Sequence, residues 1–297
     1  MTTTPHPIAL PDGRTLDVLV AGPEGAPLVV NLHGTPSGHD LAPGVQRAAE
    51  EAGLRIASIA RPGYAGSTRL PGRSVADVVP DVLAVVDALG ADRFAVMGTS
   101  GGGPHALACG ALAAGRCAAV ASVSGVGPWA AEGLDFLAGM GKGNEVEFGA
   151  ALEGEAPLRA LLVPWRVEMV SAGAEGTFVS MLSVLSPPDQ KVFTGEVAAQ
   201  LHASVSLGLR DGVDGWVDDD LAFTRPWGFT PADVSAHVFL WQGEQDLMVP
   251  PEHGRWLAAR LPGCRARLLP DDGHLTLLVN RPGEVLADLA TALRDRG

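Results

Sequence analysis

What most constrains this chain is a rhythm in its apolar residues: short, valine-rich runs alternate with longer stretches of helical periodicity. Residues 28–32 (LVVNL) read as a buried strand, followed by the polar turn HGTPSGHD and a helix over about 43–52. A strand at 54–60 leads through RPGYAGST to a helix over about 75–89, and a strand at 92–97 precedes a helix over 100–114. A fourth strand covers 118–123. Strand and helix in this alternation predict parallel pairing with right-handed crossovers. Upstream, 8–10 and 15–20 bracket Asp12-Gly13, a hairpin signal that predicts an antiparallel edge.

The rhythm breaks after Gly125 and resumes at 237–242 (HVFLWQ), with a helix near 252–260, a strand at 266–269 and a last helix over 282–294. The simplest reading is an α/β core domain, residues 1–126 and 230–297, with a mostly parallel sheet and helices on both faces. Residues 127–229 form a helical insertion within it. That insertion holds ten of the fifteen aromatic residues. Most of them are expected in its own small core, and a minority facing a ligand.

A net charge of -13 argues against nucleic acid and anionic membrane surfaces as partners, since both repel an acidic protein. No apolar run of about 18 residues is present to span a bilayer. The amino terminus lacks the basic and apolar regions of a secretory signal. Cys109, Cys117 and Cys264 are odd in number and not spaced as metal ligands. Reduced thiols and a cytoplasmic location are the expectation.

The chemistry concentrates in FAVMGTSGGGPHALA. Gly98-Thr99-Ser100-Gly101-Gly102 matches G-x-S-x-G at the end of a predicted strand and the start of a predicted helix. There a strained turn exposes the hydroxyl, small neighbours relieve crowding, and the helix N-terminus supplies a backbone N–H. A serine needs a base to take its proton. Of eight histidines, His274 (in PDDGHLTLL) is placed in a loop after the last strand, at the sheet edge that bears Ser100. His105 follows Ser100 by one helical turn and is expected to point away. The imidazole needs an orienting carboxylate, and Asp246 (in WQGEQDLMVP) follows a strand at the same edge. Asp271 and Asp272 are too close to His274 along the chain to be favoured for that role. The developing oxyanion needs donors: the Gly101 N–H is one, and the Thr35 N–H in His33-Gly34-Thr35-Pro36 the other. Gly34 lets that loop bend and His33 holds it by side-chain hydrogen bonds. Since the proposed Thr35 donor is backbone, changing its side chain is expected to do much less than removing an oxyanion donor, which costs roughly 2.7–4 kcal/mol of barrier.

Taken together, HGTP, RPGYAGS, GTSGGG, GEQDLMVP and DGHLTLL resemble the α/β-hydrolase superfamily in its lidded branch, over nearly the whole chain. The resemblance implies an eight-stranded sheet, a cap formed by the insertion, the triad Ser100, Asp246 and His274, and neither metal nor organic cofactor. Relatives that open epoxides or remove halides carry an aspartate where Ser100 stands. The expected substrate is a small molecule, largely apolar, with an ester, thioester, lactone or activated carbon–carbon bond. A binding protein on the same scaffold, or a lyase or cofactor-free peroxidase using the same three residues, are the rival readings.

Overall fold

A computed structural model describes residues 3–113, 115–171 and 173–295. Four short strands open the chain, β1 (Thr4–Pro5), β2 (Ile8–Ala9), β3 (Thr15–Leu16) and β4 (Val18–Ala21). The alternating part follows as β5 (Leu28–Leu32), α1 (Pro43–Glu51), β6 (Arg55–Ile59), α2 (Val78–Ala88), β7 (Phe94–Thr99), α3 (Gly102–Leu112) and β8 (Cys117–Val123). Six helices come next: α4 (Lys142–Glu153), α5 (Glu155–Ser171), α6 (Gly173–Met181), α7 (Pro187–Val192), α8 (Gly195–Gly208) and α9 (Asp214–Phe223). The chain closes with β9 (His237–Gly243), α10 (Pro251–Ala258), β10 (Arg265–Leu269), α11 (His274–Asn280) and α12 (Pro282–Asp295).

Eight strands form one sheet in the order β1-β4-β6-β5-β7-β8-β9-β10. The pairs from β6 to β10 are parallel, while β1 and β4 add an antiparallel edge. The run 15–20 does not form one strand. Its break is at Asp17, whose N–H goes to Ser67 Oγ and whose carbonyl takes the Ala60 N–H. Thr15 and Leu16 therefore stay in the Asp12-Gly13 hairpin with β2, and Val18 onward joins the main sheet beside β6.

Alternate residues of the central strands feed two cores. Val30, Val96 and Val120 pack with Val82 and Leu107 beneath α2 and α3. Their neighbours Val29, Ala95 and Ala121 pack with Leu286 and Leu289 of α12 on the opposite face. Covered on both sides, β5, β7 and β8 are buried along their whole lengths up to the exit of β7, which explains why their sequences are continuously apolar. Each fully buried valine or leucine contributes about 1.5–3 kcal/mol relative to exposure.

The insertion has a core of its own, with Leu158 and Leu162 of α5 against Trp216, Val217 and Leu221 of α9. Helix α9 is buried from Gly215 to Phe223, and its last residues, Ala222 and Phe223, belong to the core under α2 and α3. It thus bridges the two. Among the described residues, no helix is long and apolar enough to cross a membrane.

Candidate active site

The strand order reverses between β5 and β7, since β6 lies outside β5. At such a switch point the loops leaving the two strands diverge and open a crevice at their carboxyl ends. The loop after β5 carries His33 to Pro36, and the turn after β7 carries Ser100. Ser100 has φ of +52°, left-handed backbone that a non-glycine residue adopts only when its surroundings enforce it. Its N–H is held by the Val123 carbonyl at 2.8 Å. The flanking glycines are steric necessities. A Cβ on Gly98 would lie 2.2 Å from the Gly102 carbonyl oxygen, and one on Gly101 would lie 2.2 Å from Thr35 Oγ1. The turn can therefore be this tight only with glycine at both places.

Asp246 and His274 meet at the same edge, Asp246 on the loop after β9 and His274 on the segment that follows β10. His274 Nδ1 donates to Asp246 Oδ2 at 2.7 Å, and both side chains are buried. Asp246 Oδ1 accepts the Met248 and Val249 N–H groups, each at 2.8 Å, so the carboxylate is fixed from behind. Burial disfavours a charged imidazole here, yet the Asp246 charge and hydrogen bond outweigh it and raise the His274 pKa above its ordinary value. The Asp246 bond fixes the proton on Nδ1 and leaves Nε2 as the basic nitrogen. Asp272 lies apart from this pair and accepts a hydrogen bond from Arg281. Among the described residues, no hydrogen bond joins Ser100 Oγ to His274.

His274 is the first residue of α11 rather than part of a loop, which corrects the sequence reading. The reason lies in the insertion. Asp189 of α7 accepts the backbone N–H groups of His274, Leu275 and Thr276 at 2.8–2.9 Å, satisfying the free donors of the α11 N-terminus. Sequence reasoning missed this residue. In SPPDQ it reads as part of its own helix start, and Ser186 Oγ does donate to it at 2.8 Å.

Thr35 and Gly101 adjoin each other beside Ser100. Neither N–H donates to any group among the described residues. The Thr35 side chain is committed: its hydroxyl donates to Asp219 Oδ2 at 2.6 Å and accepts from Arg61 Nη2 at 3.0 Å. The hydroxyl thereby fixes the loop whose N–H is of interest. Arg61 also donates to the His33 and Gly34 carbonyls. His33 accepts the Arg61 N–H at Nε2 and donates from Nδ1 to the Gly34 carbonyl at 2.7 Å. Burial holds its pKa well below the ordinary value, so the ring is neutral.

Asp219 is the hub of this arrangement. It accepts from Arg61 (2.5 Å), Arg73 (2.6 Å), Tyr64 (2.8 Å) and Thr35, with His105 Nε2 at 3.3 Å. Burial opposes its ionisation, but Arg61 and Arg73 prevail and keep its pKa well below the usual carboxylate range. His105, set between Asp219 and the Val75 carbonyl, is part of this support. Asp219, Arg61 and Arg73 were not singled out from sequence. The signal present was three consecutive acids inside the otherwise apolar GWVDDDLAF.

A cavity of about 450 Å³, its mouth included, opens beside Ser100. Thr35 and Gly101 border it with Val126, Phe148, Phe223 and Val249, and two carboxyl groups, Glu147 and Asp220, complete one side. Among the described residues, Phe148 and Phe223 are the insertion aromatics that reach this cavity. His253 is structural: it accepts the Gly127 N–H and donates to the Phe136 carbonyl. Among the described residues, no three His, Cys, Asp or Glu side chains are grouped to hold a metal ion, and Cys109, Cys117 and Cys264 are free thiols.

Residues 27–146 match a family model described as the alpha/beta hydrolase fold. No curated protein matches the sequence. Among solved structures, an alpha/beta hydrolase fold protein from Nakamurella multipartita is 26% identical, with a TM-score of 0.68 over 99% of this chain and 100% of that one. The enol-lactonase from Burkholderia xenovorans LB400 is 19% identical, with a TM-score of 0.71 over 96% and 100%. An esterase from Exiguobacterium antarcticum is 17% identical, with a TM-score of 0.67 over 97% and 99%.

Proposed function

We propose that this chain, which has the α/β-hydrolase fold, cleaves a small ester, thioester, lactone or activated carbon–carbon bond through an acyl-enzyme on Ser100. The observation that carries this reading is the buried His274–Asp246 pair, bonded at 2.7 Å, on the sheet edge where Ser100 stands in a left-handed elbow. A buried imidazole with its Nδ1 proton committed to a carboxylate is what a general base for a serine requires.

In the first step His274 Nε2 takes the Ser100 proton as the oxygen attacks the carbonyl carbon. Hydroxyl and imidazole come into hydrogen-bonding reach when the acyl group is seated. The tetrahedral oxyanion lies against the Thr35 and Gly101 N–H groups, which have no competing acceptor among the described residues. His274 then protonates the leaving group. Water deprotonated by the same nitrogen attacks the acyl-enzyme, and collapse of the second intermediate restores the serine. The insertion helices serve as the cap over the cavity, with Phe148 and Phe223 as apolar walls for the substrate. The neighbouring enol-lactonase and esterases agree with this class of bond.

The test is a fluorophosphonate probe and short-chain 4-nitrophenyl esters, applied to the protein and to Ser100→Ala. The expected result is labelling of Ser100 alone, and a loss of turnover in the variant of about 10⁴-fold or more. Labelling and turnover that survive the substitution remove Ser100 from the mechanism.

A further inference from the structure

The acidic side of the cavity beside Ser100 has no part in acyl transfer. Asp220, near the end of α9, is 1% exposed, and its Oδ2 accepts no hydrogen bond from any described residue. Its polar neighbour is the carboxyl of Glu147 on α4, which accepts the Trp216 Nε1–H at 2.5 Å and is partly open to the cavity. Burial, and then the charge of Glu147, push the Asp220 pKa well above the carboxylate range, and burial raises that of Glu147 as well. Two carboxyl groups so placed resist losing both protons, since burial and mutual repulsion oppose the second negative charge.

The contrast within α9 is informative. Asp219 is saturated by two guanidiniums and three further donors, and Asp218 is paired with Arg69 at 2.8 Å. Asp220 alone of the three faces the cavity with acceptor capacity left over. The guanidiniums of Arg61 and Arg73 are already committed to Asp219. A proton shared with Glu147 still leaves other acceptor sites of this buried pair without donors, an unfavourable state, and more so for a charged pair. A group arriving from the cavity with several donors and a positive charge removes that cost.

We infer that Glu147 and Asp220 form the binding site for a protonated amine on the substrate, a reading that rests on Ser100 being the nucleophile beside which that substrate lies. An ammonium group can donate to both carboxyls at once, and its charge offsets that of the pair. The carbons between amine and carbonyl lie against Val126, Phe148 and Phe223. The net charge of -13 draws cations toward the molecule rather than repelling them. The substrate class narrows accordingly to esters and related acyl compounds that carry an aliphatic amine.

The deciding experiment is calorimetric binding to Ser100→Ala at pH 7 of three size-matched esters: methyl 3-aminopropanoate, methyl 3-hydroxypropanoate and methyl butanoate. The aminopropanoate is expected to bind more than about tenfold tighter than either of the others. That preference is expected to vanish in Ser100→Ala combined with Asp220→Asn or Glu147→Gln, near-isosteric changes whose folding is checked by thermal melting. Equal binding of the three esters overturns the inference, as does tightest binding of the hydroxyl ester or a preference that survives both carboxyl substitutions. If Ser100→Ala hydrolyses the esters, the nucleophile assignment fails, while the order of affinities still decides the amine site.

Discussion

At the scale of single residues, the proposed role of His274 as base makes the balance of forces on it decide how activity depends on pH. Burial alone would lower its pKa, and the Asp246 carboxylate at 2.7 Å reverses the sign. A base works only when neutral. With the pKa raised above the ordinary value of about 6.5, kcat/KM must fall on the acid side with a midpoint above that pH. In Asp246→Asn both the charge and the correct acceptor are lost, so the midpoint moves down and the imidazole favours the wrong tautomer. A drop in kcat of about 10⁴-fold is expected, as for the equivalent change in serine proteases. Profiles of kcat/KM against pH for the two proteins check both points, and an acid limb that stays in place in the variant refutes the assigned pairing. Ser100 was legible because its elbow is a local device: the glycines that make room for it are adjacent in sequence.

At the scale of elements, the coupling between α7 and α11 carries a prediction of its own. Asp189 touches no reacting atom; it positions His274 by holding three N–H groups of the α11 first turn. Its charge also contributes to the raised pKa of His274, after the effects of burial and Asp246. Asp189→Ala is expected to cost about 1–3 kcal/mol of stability, since buried donors lose a charged acceptor. It should also lower kcat. Asp189→Asn restores part of the acceptor capacity but not the charge. Both variants should therefore move the acid limb of the pH profile downward, with the alanine losing more in kcat. Stability loss without any displacement of that limb would reduce Asp189 to a purely structural cap. The same helix marks where sequence reading of elements stopped. Strands β5, β7 and β8 were legible because burial on both faces makes them continuous apolar runs bounded by turns. In HLTLLVN, seven residues before Arg281-Pro282, an apolar stretch too short to show a period gives no sign of a helix, and the carboxylate that starts it lies 85 residues away. The split of the 15–20 run at Asp17 likewise depends on a distant hydroxyl, that of Ser67.

At the scale of the whole molecule, the parts of the site that follow strands were legible, because the topology of a parallel sheet delivers every such loop to one edge. The support behind them was not. Arg61 lies 158 residues from Asp219, and nothing local in RPGY announces a salt bridge into α9. Yet this bridge joins the Thr35 loop, the RPGY turn and the bridging helix of the insertion through one buried carboxylate. Its energetics give the last prediction. Asp219→Asn leaves the Arg61 and Arg73 guanidiniums buried without a counter-charge, a change expected to cost roughly 3–5 kcal/mol. The sign with pH follows from the depressed pKa. In the unfolded chain Asp219 titrates near the ordinary value of about 3.9, and in the folded protein well below it. Its contribution is therefore fully present above that value and drains away as pH falls toward the folded pKa. Urea unfolding at pH 7 should separate the two proteins widely, and at pH 3 the gap should narrow. Because Thr35 Oγ1 loses the charged partner that fixes its loop, turnover of a good ester should fall even at temperatures where the variant is fully folded. An equal gap at both pH values would mean that Asp219 acts by packing and neutral hydrogen bonds, and that the two arginines draw no stability from its charge.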